Sequence, residues 1–499
     1  MSTSAQPATD SIETIPALAT DVNATDAANN SAQGAARRPG IRSALADPVL
    51  RILAGATIVS TVGRGIFYTL TVLYFTHFVG LSAVEIAAIL GISSGVGVVT
   101  SYAGGHYADR FSARRLLVLF VALEGVAMAA YPFAGDFTAA LVLACFATGL
   151  NRAANSARSA IIARAFDAEH RVHTRAVLRT ITNVGIAAGG AIGALALLVG
   201  TIEAYRGLMI AAGVIYVLST VQLMRLPQRV DAVRSHRVAT LEPGADTAAR
   251  AAIDAATARR AADASAAASA RSPFRDRRYV LLTVLSGIFG MQFALGEIGV
   301  PLWIAHNTAA PDVMVAISLI INTVVVIALQ IPLSRGTDDI RRAGRVVLIA
   351  GALMLVACAL YAASAGTPAG AAPDAASSSI GVGVGLAITL LVAGALAHAL
   401  AEILSQAGTW GLSFELADPQ RAGAYQGMFG MGFSLGAMCA PLIITVTALQ
   451  LGALGWAILA ALFVASAMGI WAIARSATRG VPVVATGTHH AAVGTAPTA

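Results

Sequence analysis

Apolar runs of 18 residues or more recur along almost the whole chain, and no other feature constrains its fold so tightly. A run of that length, wound into a helix rising 1.5 Å per residue, spans the roughly 30 Å hydrocarbon core of a bilayer. Twelve such runs can be read, six between residues 50 and 224 and six between residues 279 and 474. With a mean hydropathy of +0.73 and only 12% charged residues, the chain has too little polar surface to cover a water-soluble globule. The fold class this implies is an all-α polytopic membrane protein with twelve transmembrane helices, embedded in a lipid bilayer.

The few charges are ordered. All 33 basic side chains are arginines, set against 26 carboxylates for a net charge of +7, and they gather in short turns between the runs. The turns "DRFSARR", "RAFDAEHRVHTR", "SRGTDDIRRAGR" and "DPQR" alternate with turns that hold one arginine, Arg206. By the positive-inside rule, the arginine-bearing turns and both chain ends face the cytoplasm. Such a pattern reads as topology, and no nucleic-acid partner is expected. The lack of lysine beside abundant Ala and Gly fits the codon bias of a GC-rich bacterium, which places the chain in a bacterial inner membrane. Cys145, Cys358 and Cys439 lie singly inside apolar runs, so they read as small buried residues, and neither a metal nor a cofactor is expected.

Composition also divides the chain. Residues 1–44 are polar, lack the apolar core of a signal peptide and read as a disordered cytoplasmic tail. A polar, Ala/Arg/Asp-rich linker over 227–277 follows the sixth run and separates two six-helix bundles, 45–226 and 278–475, with a second tail over 476–499. The bundles look related. In each, an acidic-basic turn leads into a helix with glycines four apart, Gly185, Gly189 and Gly193 in the first and Gly432 and Gly436 in the second. Glycines at that spacing let helix backbones approach closely.

The turn "GGHYADRFSARR" between runs 2 and 3 resembles the signature loop of the major facilitator superfamily, G-x-x-x-D-R-x-G-R-[KR]. Gly105, Asp109, Arg110 and Arg114 fall on its positions, while Ser112 and Ala113 replace its second glycine and first basic residue. "NRAANS" in run 4 is similar to R-x-x-Q-G through Arg152, with Asn155 and Ser156 at the last two positions. "GIAAGGAIGA" in run 5 resembles the antiporter motif through Gly185, Gly189 and Gly193, with Gly190 and Ala194 replacing its proline and final glycine. The resemblance covers about residues 45–475. It implies two pseudo-symmetric six-helix bundles, a central cavity lined by helices 1, 4, 7 and 10, and a loop that latches the halves together. An Asp at the membrane surface suits that role, because it can sit against the positive N-terminal end of a helix such as helix 11.

An ionised side chain at the bilayer centre costs roughly 2.5–3.5 kcal/mol, so each one needs a partner, a wet cavity or a proton. Arg64, Arg152, Glu297 and Glu402 fall one each on runs 1, 4, 7 and 10. Helical spacing places Tyr68 with Arg64, Asn155 with Arg152, and both His398 and Gln406 with Glu402 on shared faces, and Gln292 joins Glu297 on run 7. These nine residues are the expected substrate and proton pathway, with Glu402 and His398 as a proton relay. Glu124 has no evident partner, and Arg158, Arg164 and Arg179 read as snorkelling arginines near helix ends.

The sequence carries no P-loop and no GxSxG, HExxH or CxxC arrangement, so neither an enzyme nor an ATP-driven pump is expected. The expected function is secondary transport of a small organic molecule by a monomer, most simply proton-coupled export of a drug-like compound or metabolite. The alternatives are an importer of an anionic solute, favoured by Arg64, and a non-transporting membrane sensor or scaffold.

Overall fold

The computed structural model describes residues 47–231, 272–366 and 383–479. The expected tails over 1–44 and beyond 479, and most of the 227–277 linker, lie outside the described residues. Within them, twelve helices are long and apolar enough to cross a membrane. In chain order they are α1 (Pro48–Val79), α2 (Val84–Arg110), α3 (Ala113–Phe133), α4 (Phe137–Ala165), α5 (Ala168–Val199) and α6 (Ile202–Leu223). The second half follows with α7 (Arg277–Asn307), α8 (Val313–Leu333), α9 (Ile340–Ala363), α10 (Val384–Glu415), α11 (Pro419–Gln450) and α12 (Gly452–Thr478). No strand forms among the described residues, where a lone bridge joins Thr308 and Ala365.

Helix ends follow local chemistry. Ser82 and Glu85 form a reciprocal capping box before α2, and Asp136, Asp167 and Asp339 accept backbone N–H bonds at the starts of α4, α5 and α9. Gly80 and Gly200 end α1 and α5 at φ values of 81° and 71°, a conformation that favours glycine. The Asp167 cap starts α5 about two turns before its apolar run, which carries Arg171 and Arg175 into the helix. That extension shapes the centre of the molecule.

The two halves use the same helix pairs. α1 packs on α5 and α6 as α7 packs on α11 and α12; α2 on α4 as α8 on α10; α3 on α4 and α6 as α9 on α10 and α12. Glycine makes the closest of these contacts. A Cβ on Gly189 would lie 2.1 Å from the Val62 carbonyl oxygen, and one on Gly436 would lie 2.2 Å from that of Gly287. Gly185, Gly193 and Gly432 meet Thr61, Thr69 and Thr283 in the same two seams. The glycines read from the sequence thus sit where α5 crosses α1 and where α11 crosses α7. Bulk fills the second half differently, with Trp303 and Trp456 fully buried and in edge-to-face contact at 5.4 Å.

Helix α7 is interrupted. It passes through a π-helical turn at Leu295–Gly299, which carries Glu297, and resumes at Val300 with Pro301 in its first turn. A proline there removes one backbone donor, and π-turns of this kind often mark working parts of a helix.

Candidate functional site

The α2–α3 turn joins the two halves. Gly105 has no room for a side chain, because a Cβ would fall 2.0 Å from the Gly423 carbonyl oxygen and 2.8 Å from Gly427 Cα. This contact brings the Asp109 carboxylate onto the first turn of α11, where it accepts backbone N–H bonds from Gly423 (2.8 Å) and Ala424 (2.7 Å). Arg164 of α4 completes the site, donating to Asp109 Oδ1 at 2.5 Å and to the Ala108 carbonyl at 3.0 Å. Arg164 was expected to snorkel; its side chain is instead 4% exposed and committed to Asp109. Arg114 donates to the Leu226 carbonyl, and Asp231 accepts from both Ser112 Oγ and the Arg114 backbone. Arg110 is exposed and makes no hydrogen bond or ion pair among the described residues.

Above this latch, α5 and α10 run antiparallel and meet in three rungs. Arg171 pairs with Glu415 at 3.3 Å, Arg175 lays its guanidinium 3.5 Å from the Trp410 ring centroid, and Arg179 pairs with Glu402 while donating to Gln406 at 3.4 Å. All the cations come from α5 and both carboxylates from α10. Asn322 of α8 donates to the second Glu402 oxygen at 3.0 Å, so that carboxylate is bound by both halves. Arg179 was also read as snorkelling, but it lies about 16 Å along α5 from its start and is committed to Glu402 between the halves. The signal lay in the sequence as arginines four apart at 171, 175 and 179, a single helical face. The ladder, the latch and the Ser101 hydroxyl, which donates to the Gly427 carbonyl, all join the two halves. They cluster on the arginine-bearing side.

Beyond the ladder lies a cavity of 550 Å³, within the range of small-molecule sites. Arg152, Asn155, Glu297 and Gln406 all line it, so four of the nine expected pathway residues converge. Neither Arg152 nor Glu297 makes a hydrogen bond or ion pair among the described residues. A smaller cavity of 190 Å³ beneath it shares Asn155, Arg175, Arg179, Gln406 and Trp410.

The other pathway residues are placed differently. Arg64 turns into the first bundle, where it pairs with Glu124 of α3 at 3.0 Å and donates to the Tyr216 hydroxyl of α6. Asn151 of α4 donates to the same Glu124 oxygen at 2.8 Å, which gives Glu124 the partners the sequence did not reveal. Arg158 is likewise drawn inward, onto Asn155. Tyr68 is 59% exposed and lines neither cavity. His398 Nε2 faces the Gln292 carbonyl at 3.1 Å and does not hydrogen-bond Glu402, while the Gln292 amide donates to Ser405 at 2.7 Å. His398 and Gln292 therefore tie α7 to α10. Among the described residues, no cluster of His, Cys, Asp and Glu has the arrangement of a metal site.

A family model described as Major Facilitator Superfamily matches residues 53–411. No curated protein sequence matches the chain. Among solved structures, the chain is similar to the human organic anion transporter MFSD10 (TETRAN), with a TM-score of 0.57 at 13% identity over 87% of this chain and 100% of that one. It is similar to FucP, the E. coli fucose:proton symporter, in the outward conformation, with a TM-score of 0.58 at 14% identity over 86% and 98%. The proton:xylose symporter XylE bound to 6-bromo-6-deoxy-D-glucose gives a TM-score of 0.59 at 13% identity over 85% and 95%. At these identities the likeness is one of fold.

Proposed function

The chain belongs to the major facilitator superfamily, a family of membrane transporters, and on that premise we propose that it exports a small organic molecule by alternating access, coupled to protonation of Glu402. The observation that carries the reading is the innermost rung, where Glu402 is held at once by Arg179 of the first half and Asn322 of the second. A proton on Glu402 removes the charge that pairs with Arg179 and so frees α5 from α10. The halves can then part on that side, while a deprotonated Glu402 draws them together. The coupling is a differential affinity of the two access states for one proton.

The positive-inside rule assigns the arginine-bearing side to the cytoplasm of a bacterial inner membrane. On that assignment the described state is closed to the cytoplasm, with the cavity reached from outside. The latch and the ladder are then the cytoplasmic gate. The nine pathway residues separate into cavity residues (Arg152, Asn155, Glu297, Gln406), a gate carboxylate (Glu402), structural ties (Arg64, Gln292, His398) and the exposed Tyr68, which lies outside the site. Uptake of an anionic solute is a second reading, supported by the surplus of arginine around the cavity, and it differs in that substrate and proton would move in the same direction down one proton gradient.

The test is flux in proteoliposomes under an imposed pH gradient, over a panel of cationic, zwitterionic and anionic compounds. Wild type should concentrate substrate in one direction. Glu402→Gln, which mimics the protonated group, should abolish accumulation while sparing downhill exchange. Accumulation that survives in Glu402→Gln moves the proton site to Glu297, and if neither carboxylate matters the coupling is not protonic. No flux of any compound, with the protein folded and inserted, returns the chain to the sensor or scaffold class.

A further inference from the structure

The 550 Å³ cavity has two unlike walls. The first half supplies polar groups, among them Ser101, Arg152, Asn155 and Arg175, from α2, α4 and α5. The second half supplies Phe293, Ile298, Phe433 and Pro441 from α7 and α11, with Glu297, Gln406 and Gln426 set among them. Phe433 lies nearly parallel to Trp410, at 9° and 6.1 Å between centroids, and both rings line the space with Phe293, so this wall is aromatic.

The charges around this space do not cancel. Arg179 is matched by Glu402, whereas Arg175 meets the Trp410 ring and a serine hydroxyl, and Arg152 meets no hydrogen-bond acceptor among the described residues. Against these two unmatched cations stands one carboxylate, Glu297. A guanidinium kept at membrane depth without a protein anion is costly unless water or a bound ligand compensates it. Its planar fork suits carboxylate, sulfonate or phosphate oxygens.

We propose that this cavity takes an amphipathic organic anion, its acidic headgroup on Arg152 and its planar apolar body against the wall of Phe293 and Phe433. The inference rests on the transport reading above and names the substrate class of the same site. The two halves then grip opposite ends of one molecule, so a bound ligand bridges them.

The experiment measures equilibrium binding to purified full-length protein with no gradient, using three compounds of one shape, 2-naphthoate, 2-naphthamide and 2-naphthylmethylammonium, together with hexanoate. Naphthoate should bind about tenfold or more tightly than each of the other three. Arg152→Gln should weaken naphthoate by roughly tenfold to a hundredfold and leave naphthamide unchanged. Arg152→Lys, which keeps the charge without the fork, should fall between them. Phe433→Leu should weaken naphthoate and naphthamide alike. Thermal unfolding of each variant verifies folding, and the wild-type ranking stands apart from any variant. Preference for the amide or the ammonium, equal affinity for hexanoate, an Arg152→Gln protein that still favours naphthoate, or no saturable naphthoate binding at millimolar concentration each overturns the proposal. Gradient-driven flux of a cationic or neutral compound by the same preparation refutes this substrate class while leaving the transport reading intact.

Discussion

Replacing Asp109 by asparagine tests the latch with the smallest change in shape. The carboxylate accepts two backbone N–H bonds at 2.8 and 2.7 Å from α11 and an ion-paired contact at 2.5 Å from Arg164. A charge at a partly buried helix N-terminus contributes up to about 2 kcal/mol. A hydrogen bond to a charged group adds about 1.5–3 kcal/mol. Asparagine keeps one acceptor oxygen but turns an amide N–H₂ toward donors. A loss of about 2–4 kcal/mol from the closed state is therefore expected, a shift of roughly 30-fold to 1,000-fold in its population relative to the open one. Access states of a transporter differ by only a few kcal/mol, so the change is enough to invert their order. The assay is a spin-label distance between Arg115→Cys and Gln420→Cys, both exposed positions on the arginine-bearing side, in a background with the three native cysteines replaced. Asp109→Asn should broaden and lengthen the distance distribution and lower flux at equal expression, with thermal unfolding showing that the bundles remain folded. An unchanged distribution together with unchanged flux would refute the reasoning and reduce the loop to a topology signal.

Gly105→Ala should open the same seam by a different force. Its Cβ meets only backbone atoms of Gly423 and Gly427, which cannot move aside separately, so the label distance should lengthen with Asp109 intact. Glu124→Ala should leave Arg64 buried without its carboxylate and cost about 3–5 kcal/mol, read as a large drop in thermal stability. The double change Arg64→Leu with Glu124→Leu should recover most of that loss while leaving naphthoate binding unchanged, and a weakened affinity in the double variant would return Arg64 to the substrate pathway.

The fold was legible because a bilayer imposes a length rule on every helix, and the twelve apolar runs each met it. The latch was legible because Gly105 and Asp109 occupy a short pattern whose chemistry is local. Pairings between distant faces were not. Arg64 and Glu124 lie 60 residues apart on helices whose relative rotation no single sequence gives. Arg179 was assigned to a helix end because the apolar run begins near 176, whereas the Asp167 cap starts the helix at Ala168 and sets that arginine about three turns inside it, facing α10. Polar residues extend a membrane helix when a partner helix offers carboxylates, and a hydropathy window discounts them for the very property that gives them a role. His398 and Glu402 did share a face, yet the imidazole found a backbone carbonyl of α7 first.

The depth of the Arg179–Glu402 rung has an electrical meaning. Glu402 lies 18 residues along the 32-residue α10, close to the midpoint of a helix about 48 Å long, and so near the middle of a roughly 30 Å insulating layer centred on that helix. On the proposed coupling, a proton that reaches Glu402 from outside crosses about half of any transmembrane voltage, which amounts to roughly 1 kcal/mol for each 100 mV. The cavity then acts as a proton well. At that depth 100 mV is equivalent to almost one unit of pH, so under that coupling voltage and acidity would drive the cycle as one quantity, and polarising the membrane would do the work of acidifying the outside.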